Sequence, residues 1–159
     1  MFDGGGKIMG NKYSYIEDMK EWRSEFQFYI LVKIRFSETD MFGHMNNVSP
    51  FIYFEEARID FMKHVGIFNL STDPASVPIV ADLQCDYQKQ VYFDDHLKLY
   101  VKVDNVGNSS MDIHYMAVNQ QEEICFTGRG KIVNINPGTG KPIPLTDEVK
   151  EKVLTVNKA

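Results

Sequence analysis

Residues 37–58 read SETDMFGHMNNVSPFIYFEEAR. A loop carrying two carboxylates, a histidine and two asparagines runs into Ser49-Pro50, and from Pro50 no breaker interrupts the chain until Gly66. Proline suits the first turn of a helix because its missing N–H would find no intrahelical partner there. Glycine suits the residue just past the end because it enters the left-handed region without a Cβ clash. The stretch therefore opens a helix over 50–65. Set at 100° per residue, Phe51, Ile52, Phe54, Ala57, Ile59, Phe61, Met62 and Val65 fill well over half of the circumference, while Glu56, Asp60, Lys63 and His64 share the remaining arc with Tyr53. A helix so broadly apolar needs sheet on several sides. Glu55 and Arg58 fall inside the apolar arc and are expected to be partly buried and paired.

The flanking sequence supplies that sheet. Phe26, Phe28, Ile30, Val32, Ile34 and Phe36 alternate with Gln27, Lys33 and Arg35, the pattern of a half-buried strand. Beyond Gly66 the period is again two: Ile79 to Tyr87, Leu97 to Val103 and Met111 to Ala117 each alternate apolar with polar. A last strand spans 124–135, where Gly128 and Gly130 leave room for close approach of another group to the backbone. Turn signals separate these runs at Asp94-Asp95, at 105–108, at 119–122 and at Asn136-Pro137-Gly138. No connection among the last strands is long enough for a crossover helix, so they must pair largely antiparallel. The expected fold is α+β, a long central helix wrapped by a curved antiparallel sheet of about five strands. Residues 1–25, with Gly4-Gly5-Gly6 and Trp22, read as a flexible or short helical N-terminal extension, and 26–159 as one domain.

Composition excludes several function classes. A chain of 159 residues that is 43% apolar can fold around one substantial core. Seventeen basic against 22 acidic residues, without a Lys/Arg cluster, speak against a nucleic-acid partner. The apolar run near the N-terminus that contains Tyr29 to Val32 falls far short of the roughly 18 residues that span a bilayer and is too short for a signal peptide. A cytoplasmic protein without a membrane span is expected. Cys85 and Cys125 lack a CxxC partner and read as buried, reduced thiols. The four histidines show no metal-ligand spacing, so no metal is expected. Gly138-Thr139-Gly140-Lys141-Pro142 is a turn and not a phosphate loop, because Ile135 stands where the first glycine is needed and Pro142 where Ser/Thr would reach magnesium. No G-x-S-x-G elbow supports a serine triad.

Asp40-Met41-Phe42-Gly43-His44-Met45-Asn46-Asn47, entered from a strand and followed by a helix containing Tyr53-Phe54-Glu55-Glu56-Ala57-Arg58, resembles the hotdog-fold acyl-CoA thioesterases of the 4-hydroxybenzoyl-CoA thioesterase family. Weaker likeness extends over about 28–144, including Asp86-Tyr87 and the closing 140–144. The resemblance implies the hotdog fold, chains paired edge to edge as a homodimer or homotetramer, and an acyl-CoA substrate, with coenzyme A present only as part of that substrate. It implies that Asp40 acts as general base or nucleophile and that the backbone amide at Asn47 polarises the thioester carbonyl. His44 would orient carbonyl or water, and Glu55 occupies a helix position that some relatives use as the base. Gly43 lets a ligand approach the backbone closely, and Phe51, Tyr53 and Phe54 would line an acyl pocket between helix and dimer partner. Phe42 stands where plant acyl-carrier-protein thioesterases of this fold have asparagine, which favours simple aspartate chemistry.

That chemistry is sound on its own terms. A thiol leaving group of pKa about 8.5 departs without a general acid, so one carboxylate suffices. The free N–H groups and dipole of a helix start favour the developing oxyanion. Asn46, Asn47 and Ser49 also suit plain helix capping. Two other readings stay open. Residues 106–110 lack the basic side chains that some relatives use for the nucleotide phosphates, leaving Arg129 and Lys131 as substitutes or an acyl carrier protein as the thioester donor. A non-catalytic acyl-thioester-binding module of the same fold is the third.

Overall fold

The computed structural model describes residues 13–68 and 76–156; the Gly4-Gly5-Gly6 leader lies outside the described residues. The elements are α1 (Met19–Ser24), β1 (Phe28–Lys33), α2 (Ser49–Val65), β2 (Val77–Tyr87), β3 (His96–Val106), β4 (Ser110–Val118), β5 (Ile124–Ile135) and α3 (Asp147–Val156), with a 3-10 turn at Phe36–Glu38 between β1 and α2. The five strands form one antiparallel sheet in the order β1-β3-β4-β5-β2. Chain neighbours β2 and β3 therefore do not pair: β2 takes one edge beside β5, and β3 sits second from the other edge.

Register decides which side chains face α2. Val32, Ile30 and Phe28 stand opposite Leu97, Leu99 and Val101, and Leu99, Val101 and Val103 stand opposite Ala117, Tyr115 and Ile113. Tyr115 and Ile113 then oppose Gly128 and Gly130, which oppose Cys85 and Leu83. On this face α2 buries Phe54, Ala57, Phe61, Met62 and Val65 in the main core. The Phe54 ring stacks on Tyr115 with centroids 4.3 Å apart and lies over the bare backbone of Gly128. Gly66 ends α2 at φ +84, and its N–H donates to the Lys63 and Met62 carbonyls.

Four expectations need correction. The central helix is 17 residues long and does not serve the sheet alone. The C-terminal helix α3 packs against α2 and β3, with Val153 fully buried and Val149 and Val156 against the core. Its apolar residues recur at a helical spacing that the polar surroundings obscure. The alternation through 26–36 breaks at both ends: Phe26 turns to the opposite face of the sheet, and Phe36 sits 79% exposed in the 3-10 turn. Glu55 and Arg58 are not paired. Arg58 is buried and its guanidinium meets the Tyr115 hydroxyl at 3.5 Å, whereas Glu55 is exposed on the flank of α2 that also carries exposed Val48 and Ile52. The flank is open because sheet contacts cover only one side of the helix.

The opposite face of the sheet is not bare. Residues 13–26 cross it and bury Tyr13, Ile16, Trp22 and Phe26 against Met116 and Val118. The Trp22 indole packs edge-on to Phe26 and donates from Nε1 to His114 Nδ1 at 2.8 Å. The Tyr15 hydroxyl donates to Asp86 Oδ2 at 2.8 Å and lies 2.8 Å from Thr127 Oγ1, while buried Lys102 pairs with Glu25. Burial, reinforced by the Lys102 charge and opposed by Asp104, holds His114 down to a pKa of about 4. An imidazole that must stay neutral when folded but protonates freely near 6.5 when unfolded loses stability as pH falls through that interval. Stability is thus expected to decline between pH 6.5 and about 4, and protonation at Nδ1 abolishes its acceptor role toward Trp22. Urea titrations across this range should show the decline in the parent and a shallower one in His114→Gln.

Candidate active site

The loop between β1 and α2 is built by Asp40. Its backbone N–H donates to the His44 carbonyl at 2.8 Å, and its carbonyl accepts from Gly43 N–H at 3.1 Å. Its carboxylate Oδ1 accepts from the N–H groups of Phe42 (2.8 Å) and His44 (3.1 Å). This closed turn forces Gly43 to φ +79, where glycine has no Cβ to clash. No described residue hydrogen-bonds to Asp40 Oδ2, and the residue is exposed. One oxygen therefore holds the loop and the other is left without a hydrogen bond among the described residues. The neighbouring segment clamps the turn: Met45 N–H donates to the Val91 carbonyl at 2.6 Å, and Phe93 N–H to the Gly43 carbonyl at 3.2 Å. The His44 ring meets Tyr92 edge-on with centroids 5.0 Å apart, which limits its rotation.

Glu38, which the sequence reading passed over, anchors the base of this loop. It is 7% exposed, and its carboxylate accepts from Arg35 Nε at 3.2 Å and from a second guanidinium nitrogen at 2.9 Å. Arg35 holds the Glu38 carboxyl below the usual carboxylate range. The Glu38 carbonyl accepts from Asn46 N–H at 2.7 Å and from Ser49 Oγ at 3.3 Å. The Arg-x-x-Glu spacing was the available signal, since residues three apart meet on a helical turn.

At the start of α2 the capping is divided. Asn46 Oδ1 accepts from Val48 N–H at 3.0 Å, and the N-cap residue itself, Val48, contributes no side-chain bond. Asn47 is exposed; its carbonyl accepts from the Tyr87 hydroxyl, and its N–H has no hydrogen-bond partner among the described residues. Asp40, His44 and residues 45–47 line one side of a cleft of about 420 Å³, and residues 87–91 line the other. The cleft thus brings together a carboxylate with a free oxygen, an imidazole and an unpaired amide at a helix start.

The sequence pattern of the thioesterase-like superfamily matches residues 34–153, a span that runs from the end of β1 into α3 and contains the whole cleft. The chain belongs to this superfamily. It is 46% identical over 142 residues to the uncharacterized protein YsmA of Bacillus subtilis strain 168, covering 89% of this chain and 95% of that one. Among solved structures, a predicted thioesterase from Bacillus stearothermophilus superposes with a TM-score of 0.72 at 29% identity, covering 80% of this chain and 94% of that one. The DHNA-CoA thioesterase of Staphylococcus aureus superposes with a TM-score of 0.73 at 25% identity, covering 82% and 92%. The hotdog thioesterase resemblance of the 40–47 motif agrees with the superfamily match and with both thioesterase structures.

Within the superfamily fold, the remaining expected site residues lie elsewhere. Tyr53 and Phe54 are packed into the core of the single chain, and Phe51 is half-buried against it with its ring perpendicular to Phe54. None of the three lines the cleft, and Glu55 does not line it either. Arg129, considered for phosphate recognition, lies between Asp82 (3.1 Å) and Asp112 (3.2 Å) on the sheet face away from α2, so its charge is already neutralised. Cys125 is buried and Cys85 half-buried, both unbridged, and burial pushes their thiols up to about 11 and about 12. Among the described residues no helix is long and apolar enough to cross a membrane.

Proposed function

We propose that the protein is an acyl-CoA thioesterase that hydrolyses its substrate to free acid and coenzyme A. The observation that carries this reading is the meeting, in one cleft, of the free Asp40 oxygen and the unpaired Asn47 amide. Asp40 takes a proton from water as the water oxygen attacks the thioester carbonyl carbon, or attacks that carbon itself to give an acyl-aspartyl anhydride that water then opens. The tetrahedral oxyanion is held by the Asn47 N–H and by the positive end of α2. Its collapse expels the thiolate, which needs no protonation to leave. His44, steadied by Tyr92, orients the carbonyl or the water. Gly43 leaves the approach to the loop free of side-chain atoms. The CoA thioester named for the Staphylococcus aureus relative supports a CoA-linked substrate here.

Two copies of the chain joined through the edge strand β2, where Ile79 and Val80 are exposed, would complete the acyl pocket beside α2 and close an unpaired edge. Thiol release from a panel of short, medium, long-chain and aromatic acyl-CoAs tests the activity and names the acyl class. Neutralisation of Arg129 favours a second reading, in which a carrier-protein arm delivers the thioester and the nucleotide is not read. Comparison of acyl-CoA with acyl-pantetheine separates them. A kcat/KM lower by about tenfold or more on the truncated substrate, or about 1.4 kcal/mol of recognition, upholds CoA. Equal values move the substrate to the carrier protein.

A further inference from the structure

Strand β2 ends at Tyr87, on the side of the cleft opposite Asp40, and the Tyr87 hydroxyl donates to the Asn47 carbonyl. The backbone on either side of Asn47 is held locally. Asn46 N–H is taken by Glu38, Val48 N–H by the Asn46 side chain, and Ser49 N–H by the Asn46 carbonyl at 3.0 Å. Among the described residues, Tyr87 is the one group that holds the Asn47 carbonyl.

We propose that Tyr87 is a positioning residue whose hydroxyl fixes the backbone at 46–48 so that the Asn47 N–H points into the cleft. The inference rests on the thioesterase reading of that cleft. An oxyanion donor acts through its aim, since it must meet the oxygen of the transition state and not that of the ground state. The Asn47 N–H shares a peptide plane with the Asn46 carbonyl, which Ser49 N–H holds. The Tyr87 bond fixes the adjoining plane, that of the Asn47 carbonyl, so the two planes on either side of Asn47 keep one relative orientation and the N–H keeps its aim. The strand end that carries Tyr87 is itself secured from the far side of the sheet. Asp86, which points the other way, accepts from the Tyr15 hydroxyl at 2.8 Å and from Gln84 Nε2 at 2.9 Å. The N-terminal cover thus steadies the strand on which the positioning hydroxyl is mounted. Burial pushes the Tyr87 hydroxyl up to about 12, so it remains a donor at any working pH.

Tyr87→Phe removes the hydroxyl and keeps the ring. The expected result is a kcat for acyl-CoA hydrolysis lower by about tenfold, a fraction of the 10²–10³ that loss of an oxyanion donor costs. KM should stay within about twofold, because substrate contacts are unchanged. The pH–rate profile should keep its shape, and the Val48 amide resonance should shift, because the carbonyl of its peptide group loses a hydrogen bond. Parental kcat with an unmoved Val48 resonance overturns the role. A lost limb in the pH profile also overturns it, making Tyr87 a proton-transfer group instead. Asp40→Asn is assayed alongside to separate the two inferences. If the parent releases thiol, Asp40→Asn does not and Tyr87→Phe does so at the parental rate, the positioning role alone falls. If the parent releases none, the thioesterase reading falls and takes this inference with it.

Discussion

Asp40→Asn is expected to lower kcat for thioester hydrolysis by about a thousandfold while leaving the melting temperature within a few degrees of the parent, as a positioned general base contributes about 10²–10⁴. The geometry makes this substitution more informative than Asp40→Ala. In the turn, Asp40 Oδ1 accepts from the N–H groups of Phe42 and His44, and an asparagine side-chain oxygen accepts the same two bonds. The loop therefore keeps its shape, Gly43 keeps its left-handed conformation, and only the free oxygen is replaced by an uncharged amide that neither removes a proton nor attacks a carbonyl. Alanine would remove the turn and the carboxylate together and confuse the two roles. Steady-state kinetics on an acyl-CoA that the parent turns over, with calorimetry on both proteins, decides the matter. Undiminished kcat in Asp40→Asn would reduce Asp40 to a loop-closing residue and end the aspartate mechanism.

Gly128→Ala is expected to cost about 2–3 kcal/mol and to lower the melting temperature by about 5–10 °C, the scale of overpacking in a domain of this size. A Cβ at Gly128 would lie 2.6 Å from Cε2 and Cζ of Phe54 and 2.7 Å from the Gln84 carbonyl oxygen. Phe54 cannot yield cheaply. Its ring is stacked on Tyr115 at 4.3 Å, set perpendicular to Phe51 at 6.2 Å and packed on Phe126 at 5.9 Å. The Gln84 oxygen belongs to the paired strand β2. Phe54→Leu removes the ring atoms nearest the new methyl group. In a double-mutant cycle, the combined variant is expected to be more stable than the sum of the single changes predicts. Simple additivity would show that Phe54 and Gly128 are not in opposition.

How far the chain could be read before its structure follows from the range of each signal. Periodicity is carried by residues a few positions apart. The helix over 50–65 with its Pro50 start and Gly66 end, the run of Ile79 to Tyr87 and the strand over 124–135 therefore all match the observed elements closely. The spacing of Asp40, Gly43, His44 and Asn47 was equally local, and the cleft gathers three of those side chains on one wall and uses the glycine to turn the loop. Glycine in β5 also announced itself, since a strand spends Gly128 and Gly130 only where something must come close.

The misses were of another kind. Strand order, the docking of α3, the cover laid by residues 13–26 and the ion pairs that occupy Arg129 all join residues far apart in the chain, and each depends on which of several compatible partners packs best. Arg58 illustrates the difference. Local spacing offered Glu55, three residues away on the next turn, but burial carried the guanidinium to Tyr115 on β4 and left Glu55 outside. Tyr87 and Asn47 illustrate it at the site, forty positions apart and joined by a bond that no short motif encodes. Alternation, breakers and one dense motif were enough to locate the strands, the start of α2 and the loop that carries Asp40, because those follow from local sterics and hydrogen bonding. Only the tertiary structure decided what surrounds the carboxylate, because that is settled by the competition among distant surfaces for burial.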